Sequence, residues 1–350
     1  MRNSDRIHEL AKERALPFEE WRALFETWDE EDRMLAARLA RAAADSCYGK
    51  AVYVRGLIEY SNICRNNCLY CGLRRDNARC RRFRLSPEDI MDSARAGYDF
   101  GLRTFVLQGG EDPGFGAGSM APVVRRLKEQ FPDCAVTLSM GECGYGDYKS
   151  LREAGADRYL LRHETATEMH YMKLHPPEMS WRNRVKCLEW LAELGYQVGC
   201  GFMVGSPFQT AEDLAREMEF ARAMHPAMVG IGPFIPHRDT PFASMPAGAP
   251  QLSLFCLSLL RLQQPDLLMP ATTALATLLP DGYEQGILAG ANVIMPNISP
   301  EMARSRYVLY DNMAVSAPGT AIMESPLRKR MEAIGYSLEI GRGDHKTADR

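Results

Sequence analysis

The chain has 350 residues, of which 46% are hydrophobic, so it can bury a large core as one big domain or two ordinary ones. Its formal net charge of −3 and its pI near 6.2 give no electrostatic basis for nucleic-acid binding. The charged N-terminus lacks a signal segment, no apolar run reaches membrane-spanning length, and ten cysteines form no regular framework, so we expect a soluble, cytoplasmic protein with reduced thiols.

Short apolar, β-branched segments recur eight times along the chain, with amphipathic helical stretches between them. The segments are residues 52–60, 104–109, 135–140, 158–162, 197–204, 228–234, 267–273 and 291–296. The helix start signals Ser86-Pro87, Ser180 and Thr210 precede three of the helical stretches. Nearly all-apolar strands alternating with helices are typical of a parallel sheet covered on both faces. Eight units predict a closed (β/α)8 TIM barrel, with a doubly wound open sheet as the alternative.

The residues before the first strand and after the last strand lie outside this pattern. Residues 18–46 are predicted to form one or two helices that pack outside or under the barrel, and residues 300–350 a helical cap with a polar tail. No linker rich in Pro, Gly or Ser separates these regions. We therefore predict an N-terminal helical extension (1–50), one catalytic α/β barrel (51–300) and a C-terminal cap with its tail (301–350).

Three cysteines follow the first strand directly, in the spacing Cys64-x3-Cys68-x2-Cys71. Three thiolates at this spacing can hold three corners of a 4Fe–4S cube and leave the fourth iron without a protein ligand, where chemistry can take place. A structural zinc site is the alternative, but it needs a fourth Cys or His, and Cys80 is the only nearby candidate. The spacing therefore favours a cluster.

Polar groups collect where the predicted strands end. In a (β/α)8 barrel the chemistry lies at these ends and in the loops that follow, so the cysteine loop would lie at that mouth. The polar strand ends are residues 108–112, Thr137, 162–165, 236–237 and 272–273. This agreement between topology and chemistry supports the barrel prediction.

These segments resemble the radical S-adenosylmethionine (SAM) enzymes and, within that class, the HydE family, which acts in assembling the active-site cluster of iron-iron hydrogenases. The cysteine spacing, with the aromatic Tyr70 directly before the last cysteine, is the signature of the class. The resemblance runs over about residues 51–310 and is densest in residues 64–77, 108–113, 155–166, 228–237, 270–274 and 290–297. Biotin synthase and methylornithine synthase resemble the chain more distantly.

The resemblance implies one 4Fe–4S cluster held by Cys64, Cys68 and Cys71, with SAM chelated to its open iron. An electron from the cluster would then cleave SAM and generate a 5′-deoxyadenosyl radical. Residues 109–111 would contact the SAM amino group, and residues 228–234 would line its adenine. The implied cofactor contacts are Tyr70, Gly109, Gly110, Glu111, Glu164, Arg184, Met228 and Ile231.

The resemblance also implies a substrate cavity deeper in the barrel. Its residues would be Arg55, Gln108, Thr137, Arg158, Thr272, Thr273, Met295, Tyr307 and Tyr310. Two inward arginines would suit a small anionic substrate, because a buried charge needs a partner. In the family that substrate is proposed to be an organometallic iron–cysteine complex, to whose sulfur the radical adds. The alternative for Arg55 and Arg158 is structural pairing with Glu59 and Asp157.

Implied partners are an electron donor of the flavodoxin or ferredoxin type and other hydrogenase maturases. The electron donor could dock on the basic stretch after the cysteine loop, at residues 74–84, which could equally be a solvated loop. Some family members carry three more cysteines after the last strand for a second cluster. Here residues 312–326 contain none, so we predict a single cluster.

Two other functions remain open at this point. One is a radical SAM enzyme that acts on another small substrate, as methylornithine synthase or biotin synthase does. The other is a non-catalytic iron–sulfur carrier or scaffold, which would hold a cluster without cleaving SAM.

Overall fold

The computed structural model describes residues 1–313 and 326–346 of the chain. The helices in these ranges are α1 (Asn3–Glu13), α2 (Phe18–Thr27), α3 (Glu30–Tyr48), α4 (Pro87–Asp99), α5 (Ala117–Gln130), α6 (Tyr145–Glu153), α7 (Glu168–Leu174), α8 (Trp181–Glu193), α9 (Ala211–Met224), α10 (Pro250–Gln263), α11 (Thr273–Leu278), α12 (Gly282–Leu288), α13 (Glu301–Arg304) and α14 (Pro326–Ala333). The strands are β1 (Ala51–Val54), β2 (Gly56–Ser61), β3 (Thr104–Gly109), β4 (Ala135–Ser139), β5 (Arg158–Leu160), β6 (Gln197–Cys200), β7 (Met203–Val204), β8 (Met228–Val229), β9 (Gly232–Pro233), β10 (Val293–Ile294) and β11 (Ser337–Glu339).

The strands form a closed ring of parallel segments. Strands β2, β3, β4, β5, β6 and β8 are neighbours in that order, and single bridges from Met228 to Leu268 and from Pro270 to Val293 extend the ring. Pairing of β10 with β1 closes it, because β1 and β2 are two halves of one barrel strand. The predicted (β/α)8 barrel is confirmed, and the open-sheet alternative is wrong.

The helix starts predicted from capping residues are confirmed. Ser86 and Thr210 each form a capping box at the start of α4 and α9, with an aspartate three residues later returning the bond. The Ser180 side chain accepts a hydrogen bond from the backbone N–H of Asn183 at the start of α8. These bonds satisfy N–H groups that have no partner within the helix.

The N-terminal helices lie on the outside of the barrel. Helix α2 packs against α9, and α3 packs along α10, which is why the leucine-rich α10 is buried on nearly every side. Among the described residues, no helix combines the length and the apolar character that crossing a membrane requires.

The C-terminal tail enters the base of the barrel, a feature that the predicted helical cap with a polar tail did not include. Strand β11 pairs in parallel with β1, and the chain then passes the amino ends of the barrel strands. The fully buried Arg158 guanidinium donates to the carbonyl oxygen of Arg342 at 2.9 Å and to Asp344 Oδ1 at 2.6 Å. Arg55 donates to the carbonyl oxygen of Gly343 at 3.2 Å. The tail therefore neutralises a charge that the barrel buries.

We expect Asp344→Asn to lower the free energy of unfolding by about 2 kcal/mol at neutral pH, because the buried Arg158 loses its charged partner while Asp344 itself is partly exposed. Burial opposes the charge on Asp344, but hydrogen bonds from Arg342 and Arg158 lower its pKa to about 2, below the ordinary value of 3.8. The stabilisation is present above the ordinary pKa and is lost as the pH falls through the folded value. Chemical denaturation between pH 7 and pH 2 measures both effects.

The matched control is Glu88→Gln, which removes an ion pair between Glu88 and Arg126 in which both side chains are exposed. It should change the free energy of unfolding by less than about 0.5 kcal/mol. Equal losses in the two variants would show that the tail does not stabilise the barrel through Arg158.

Candidate functional site

A cavity of about 370 Å³ opens at the carboxyl ends of the barrel strands. Its walls bring together residues that are far apart in the sequence. The predicted residues that line it are Cys64, Cys68, Tyr70, Cys71, Gln108, Gly109, Gly110, Glu111, Glu164, Arg184, Thr272, Thr273, Met295, Tyr307 and Tyr310. The cysteine loop and the polar strand ends therefore share one mouth.

Five predicted site residues do not line this cavity. Arg55 and Arg158 hold the tail at the base, and the Met228 sulfur accepts from Arg55 at 3.1 Å. Thr137 is the register partner of Arg158, and Ile231 is fully buried in the core. The physical reason is position along the strand: Arg158 and Met228 begin their strands, whereas the cavity lies where strands end. The two inward arginines predicted to bind an anion are thus absent from its lining.

The sequence prediction missed several residues that do line the cavity. They are Glu59, Ser139 and Tyr283, whereas Arg162 had been placed only among the polar strand ends, and Gly232 and Phe234 lie in the range 228–234 that was predicted to line the adenine. Glu59 and Arg162 carried a usable signal, because each lies in the last residues of a predicted strand and bears a charge. The prediction of a single cluster rests on residues 312–326, which contain no cysteine. Most of this segment, residues 314–325, lies outside the described part of the chain.

The three cysteines of the loop are half-buried, and their thiols influence one another electrostatically. Burial raises the pKa of Cys71 to about 12, and burial together with the neighbouring thiols of Cys71 and Cys64 raises the pKa of Cys68 well above its ordinary value. Such thiols lose their protons only when a metal offsets the charge. The described residues contain no group of three or more His, Cys, Asp or Glu placed to hold a metal ion. Cluster thiolates bind separate irons and do not have to meet at one point.

Arg82 organises the cysteine loop from inside. Its guanidinium donates to the carbonyl oxygens of Asn62 at 2.7 Å, Leu73 at 2.8 Å and Arg74 at 2.6 Å. A planar guanidinium has five N–H donors in a fixed fork, which suits a concave set of carbonyls. Its positive charge also opposes the effect of burial on the Cys64 thiol, whose pKa nevertheless remains raised by that burial.

Gly110 lets the cysteine loop lie directly against the end of β3. A Cβ atom at this position would lie 2.3 Å from the carbonyl oxygen of Ile63 and 2.9 Å from the Cβ of Cys64. No side chain fits without moving the loop, because the nearest atom belongs to backbone. A close approach of this kind is a physical reason for glycine at the position.

Glu111 joins three loops at the rim of the cavity. Its Oε2 accepts from Arg65 Nε at 3.0 Å, and its Oε1 accepts from the backbone N–H of Glu142 at 3.0 Å. Arg184 forms an ion pair with Glu142 at 2.6 Å and lies 3.7 Å from Glu111. These charged side chains are held in place before any ligand enters. This favours binding, because little conformational entropy is then lost when the ligand binds.

Glu164 is held in an unusual backbone conformation beside Arg162. Its φ of 67° lies in the left-handed region, which is uncommon for residues other than glycine and occurs often at functional sites. The two side chains approach to 3.3 Å, but Glu164 Oε2 and Arg162 Nη2 have no hydrogen-bond partner among the described residues. Buried polar atoms without partners indicate a ligand that supplies donors and acceptors, and the ribose and amino-acid parts of SAM would fit this need.

A buried histidine–carboxylate pair supports the loop that carries Glu164. His163 Nδ1 accepts from the backbone N–H of Gly201 at 3.2 Å, so Nε2 carries the proton and donates to Glu217 at 2.7 Å. The second oxygen of Glu217 accepts from the backbone N–H of Ala166 at 2.7 Å. Both ring nitrogens are therefore occupied, and His163 positions the loop without facing the cavity.

Comparison with known proteins places this site in a family context. The model of the radical SAM superfamily matches residues 58–221. The chain is 49% identical over 262 residues to the FeFe hydrogenase maturase subunit HydE of Thermotoga maritima, covering 75% of this chain and 74% of that protein. It is 26% identical over 275 residues to 3-methylornithine synthase of Methanosarcina acetivorans, covering 78% and 77%.

Two solved structures share the fold over nearly the whole chain. Methylornithine synthase (PylB) has a TM-score of 0.78 at 22% identity, with 97% of each chain covered. HydG, a maturase of the FeFe hydrogenase, has a TM-score of 0.81 at 19% identity, with 97% of this chain and 76% of that chain covered. At these identities the likeness concerns the barrel and its helices alone.

We expect Arg82→Gln to destabilise the cysteine loop by about 3 kcal/mol or more, since each lost hydrogen bond from a charged donor contributes roughly 1.5 kcal/mol. The measurements are the iron bound per protein after anaerobic reconstitution and the melting temperature. Arg82→Lys should recover only part of the loss, because an ammonium cannot span the same carbonyls.

Arg79→Gln is the matched control, since that arginine is exposed and pairs only with Asp239 among the described residues. It should retain wild-type iron content. Equal iron content in the Arg79 and Arg82 variants would show that Arg82 does not organise the loop.

Proposed function

Because this chain belongs to the HydE family of FeFe hydrogenase maturases within the radical SAM superfamily, we propose that it is a radical SAM enzyme acting in the assembly of the hydrogenase active-site cluster. The observation that carries the proposal is the wall formed by Cys64, Cys68 and Cys71 in the same cavity as the polar strand ends. A plain electron carrier has no need of a cavity behind its cluster.

In this proposal the three cysteines hold one 4Fe–4S cluster, and SAM binds across the rim of the cavity. When bound, the cluster and SAM supply the electron transfer and C–S bond cleavage that yield a 5′-deoxyadenosyl radical. Glu164 and Arg162 offer the hydrogen-bonding atoms that the described structure leaves without partners. Gly110 brings the cysteine loop onto β3, so that SAM contacts on residues 109–111 would lie next to the cluster.

The barrel interior below the rim would hold a small substrate. Its walls there carry Gln108, Thr272, Thr273, Tyr307 and Tyr310, which are neutral hydrogen-bonding groups. The arginines that suggested an anionic organometallic complex bind the tail instead. The lining therefore supports a small polar substrate, and the maturation of the hydrogenase cluster remains its proposed context through the family.

An electron donor of the flavodoxin or ferredoxin type would dock beside the cysteine loop. Arg75, Arg79, Arg81 and Arg84 are exposed there, although three of the four also form ion pairs within the chain. An acidic donor would be attracted to this surface, and the attraction would weaken with salt. Other hydrogenase maturases are partners that the family context proposes.

The proposal is tested by EPR of the anaerobically reconstituted, reduced protein with and without SAM, together with an assay for 5′-deoxyadenosine. We expect a 4Fe–4S signal that SAM perturbs, and formation of deoxyadenosine. Cys68→Ala should lower deoxyadenosine formation by more than about 100-fold, since loss of even an outer partner of a metal ligand costs 10–100-fold.

Cys80→Ala is the control, because Cys80 lies in the same basic stretch but outside the cavity lining. It should retain both the signal and deoxyadenosine formation. A cluster signal that SAM leaves unchanged, without deoxyadenosine, would exclude the enzyme and support a carrier or scaffold. Loss of the cluster in Cys80→Ala would instead point to a four-cysteine site.

A further inference from the structure

Glu59 lies inside the cavity but belongs to none of the groups assigned above. It lies near the end of β2, in register with Gln108 of β3, and its side chain lines the cavity wall. Only 2% of the residue is exposed, in a region otherwise lined by hydroxyl, amide and apolar groups. A buried carboxyl group in a substrate cavity calls for a physical explanation, because burying a charge without a partner is costly.

The carboxyl group is held in a fixed orientation. Asn297 Nδ2 donates to Glu59 Oε2 at 2.6 Å, and the backbone N–H of Glu59 donates to Ser299 Oγ at 2.7 Å. The backbone N–H of Ser299 in turn donates to Asn297 Oδ1 at 2.9 Å. The segment after β10 therefore fixes the orientation of the Glu59 side chain, as a preorganised binding site requires.

Glu59 differs from the other two cavity carboxylates in having no cation next to it. Glu111 pairs with Arg65 and Arg184, and Glu164 pairs with Arg162. In the described part of the chain, Glu59 forms no ion pair. Among the ionisable groups that influence it electrostatically, Arg304 of α13 lies beyond ion-pair distance, and the others are the phenols Tyr307 and Tyr310.

We propose that Glu59 is the recognition site for an ammonium group on the small substrate of this cavity. Entry of the ammonium supplies the missing cation, and a hydrogen-bonded carboxylate–ammonium pair satisfies both charges at a buried position. The alternative, a neutral carboxyl group that only donates a hydrogen bond, needs no positive charge on the ligand. This proposal rests on the proposed function in treating the cavity as a substrate site.

Proton release distinguishes these two modes. Burial raises the pKa of Glu59 to about 8, against a smaller lowering effect of the Asn297 hydrogen bond, so the empty site is mostly protonated at pH 7. A ligand ammonium is already protonated at that pH. Formation of the ion pair must therefore release close to one proton from Glu59 to the buffer, whereas a neutral hydrogen bond releases none.

The test uses isothermal titration calorimetry on the reconstituted protein with its cluster and SAM, at pH 7. The probes are L-serine and 3-hydroxypropionate, which share a hydroxyl and a carboxylate and differ in the ammonium group. Titrations in phosphate and in MOPS, whose ionisation enthalpies differ, count the protons released. We expect L-serine to bind about tenfold or more tightly than 3-hydroxypropionate and to release close to one proton.

Two variants of Glu59 separate recognition from a structural role. Glu59→Gln keeps the shape and can still accept from Asn297, but it should lose both the preference for L-serine and the proton release. Glu59→Asp retains an ionisable carboxyl group and should keep a measurable proton release with weaker binding. Iron content and melting temperature check that both variants fold.

Three results would overturn the proposal. They are equal binding of the two probes to the wild-type protein, retention of the preference and proton release in Glu59→Gln, and failure of the wild-type protein to bind L-serine at millimolar concentration. The calorimetry does not depend on SAM cleavage, so its failure can be told apart from failure of the proposed function. A protein that forms no deoxyadenosine could still show proton-linked binding of L-serine. Conversely, a protein that forms deoxyadenosine could fail to show such binding, and the two assays would report this separately.

Discussion

All strands of the barrel run in one direction, and the rest of the structure depends on this constraint. Because the strands are parallel, their carboxyl ends share one mouth and their amino ends share the base. Backbone amides and helix starts face the mouth, where loops can supply charged and polar groups without burying them in the core. The cysteine loop follows the first barrel strand at this mouth, so the proposed cluster site and the barrel interior are adjacent by topology alone.

The same constraint creates a problem at the base that the C-terminal tail solves. Arg158 begins its strand and points into the barrel, where it is fully buried. An unpaired guanidinium there would be strongly destabilising, and Asp344 with the carbonyl of Arg342 provides the partner. The neighbours Glu59 and Asp157, which the sequence suggested as partners, do not fill this role for Arg55 and Arg158. The tail does so instead, 184 residues beyond Arg158 and 288 residues beyond Arg55, and it covers the base of the barrel while the cavity opens at the other end.

The fold was largely predictable because its signals are local. Apolar β-branched segments, capping boxes at Ser86 and Thr210, and the polar strand ends each depend on a few neighbouring residues. Depth within the barrel was also partly predictable, since Arg158 and Met228 begin their strands whereas Gln108 lies near the end of its strand. The insertion of β11 was not predictable from periodicity, because three strand residues in a polar tail carry almost no pattern. The pairing of His163 with Glu217 likewise joins residues 54 positions apart that no motif connects.

The separation of charges between the two ends bears directly on what the cavity can bind. With Arg55 and Arg158 committed to the tail, the arginines that reach the cavity, Arg162 and Arg184, lie at the rim among glutamates. Below them the lining carries hydroxyl and amide groups and the single carboxyl group of Glu59. The cavity therefore carries paired charges at its rim, and Glu59 is the one carboxyl group of its lining that forms no ion pair in the described part of the chain. A substrate that carries a positive group would meet the Glu59 carboxyl group in the interior, whereas an anion would meet cations at the rim and none in the interior lining of the cavity.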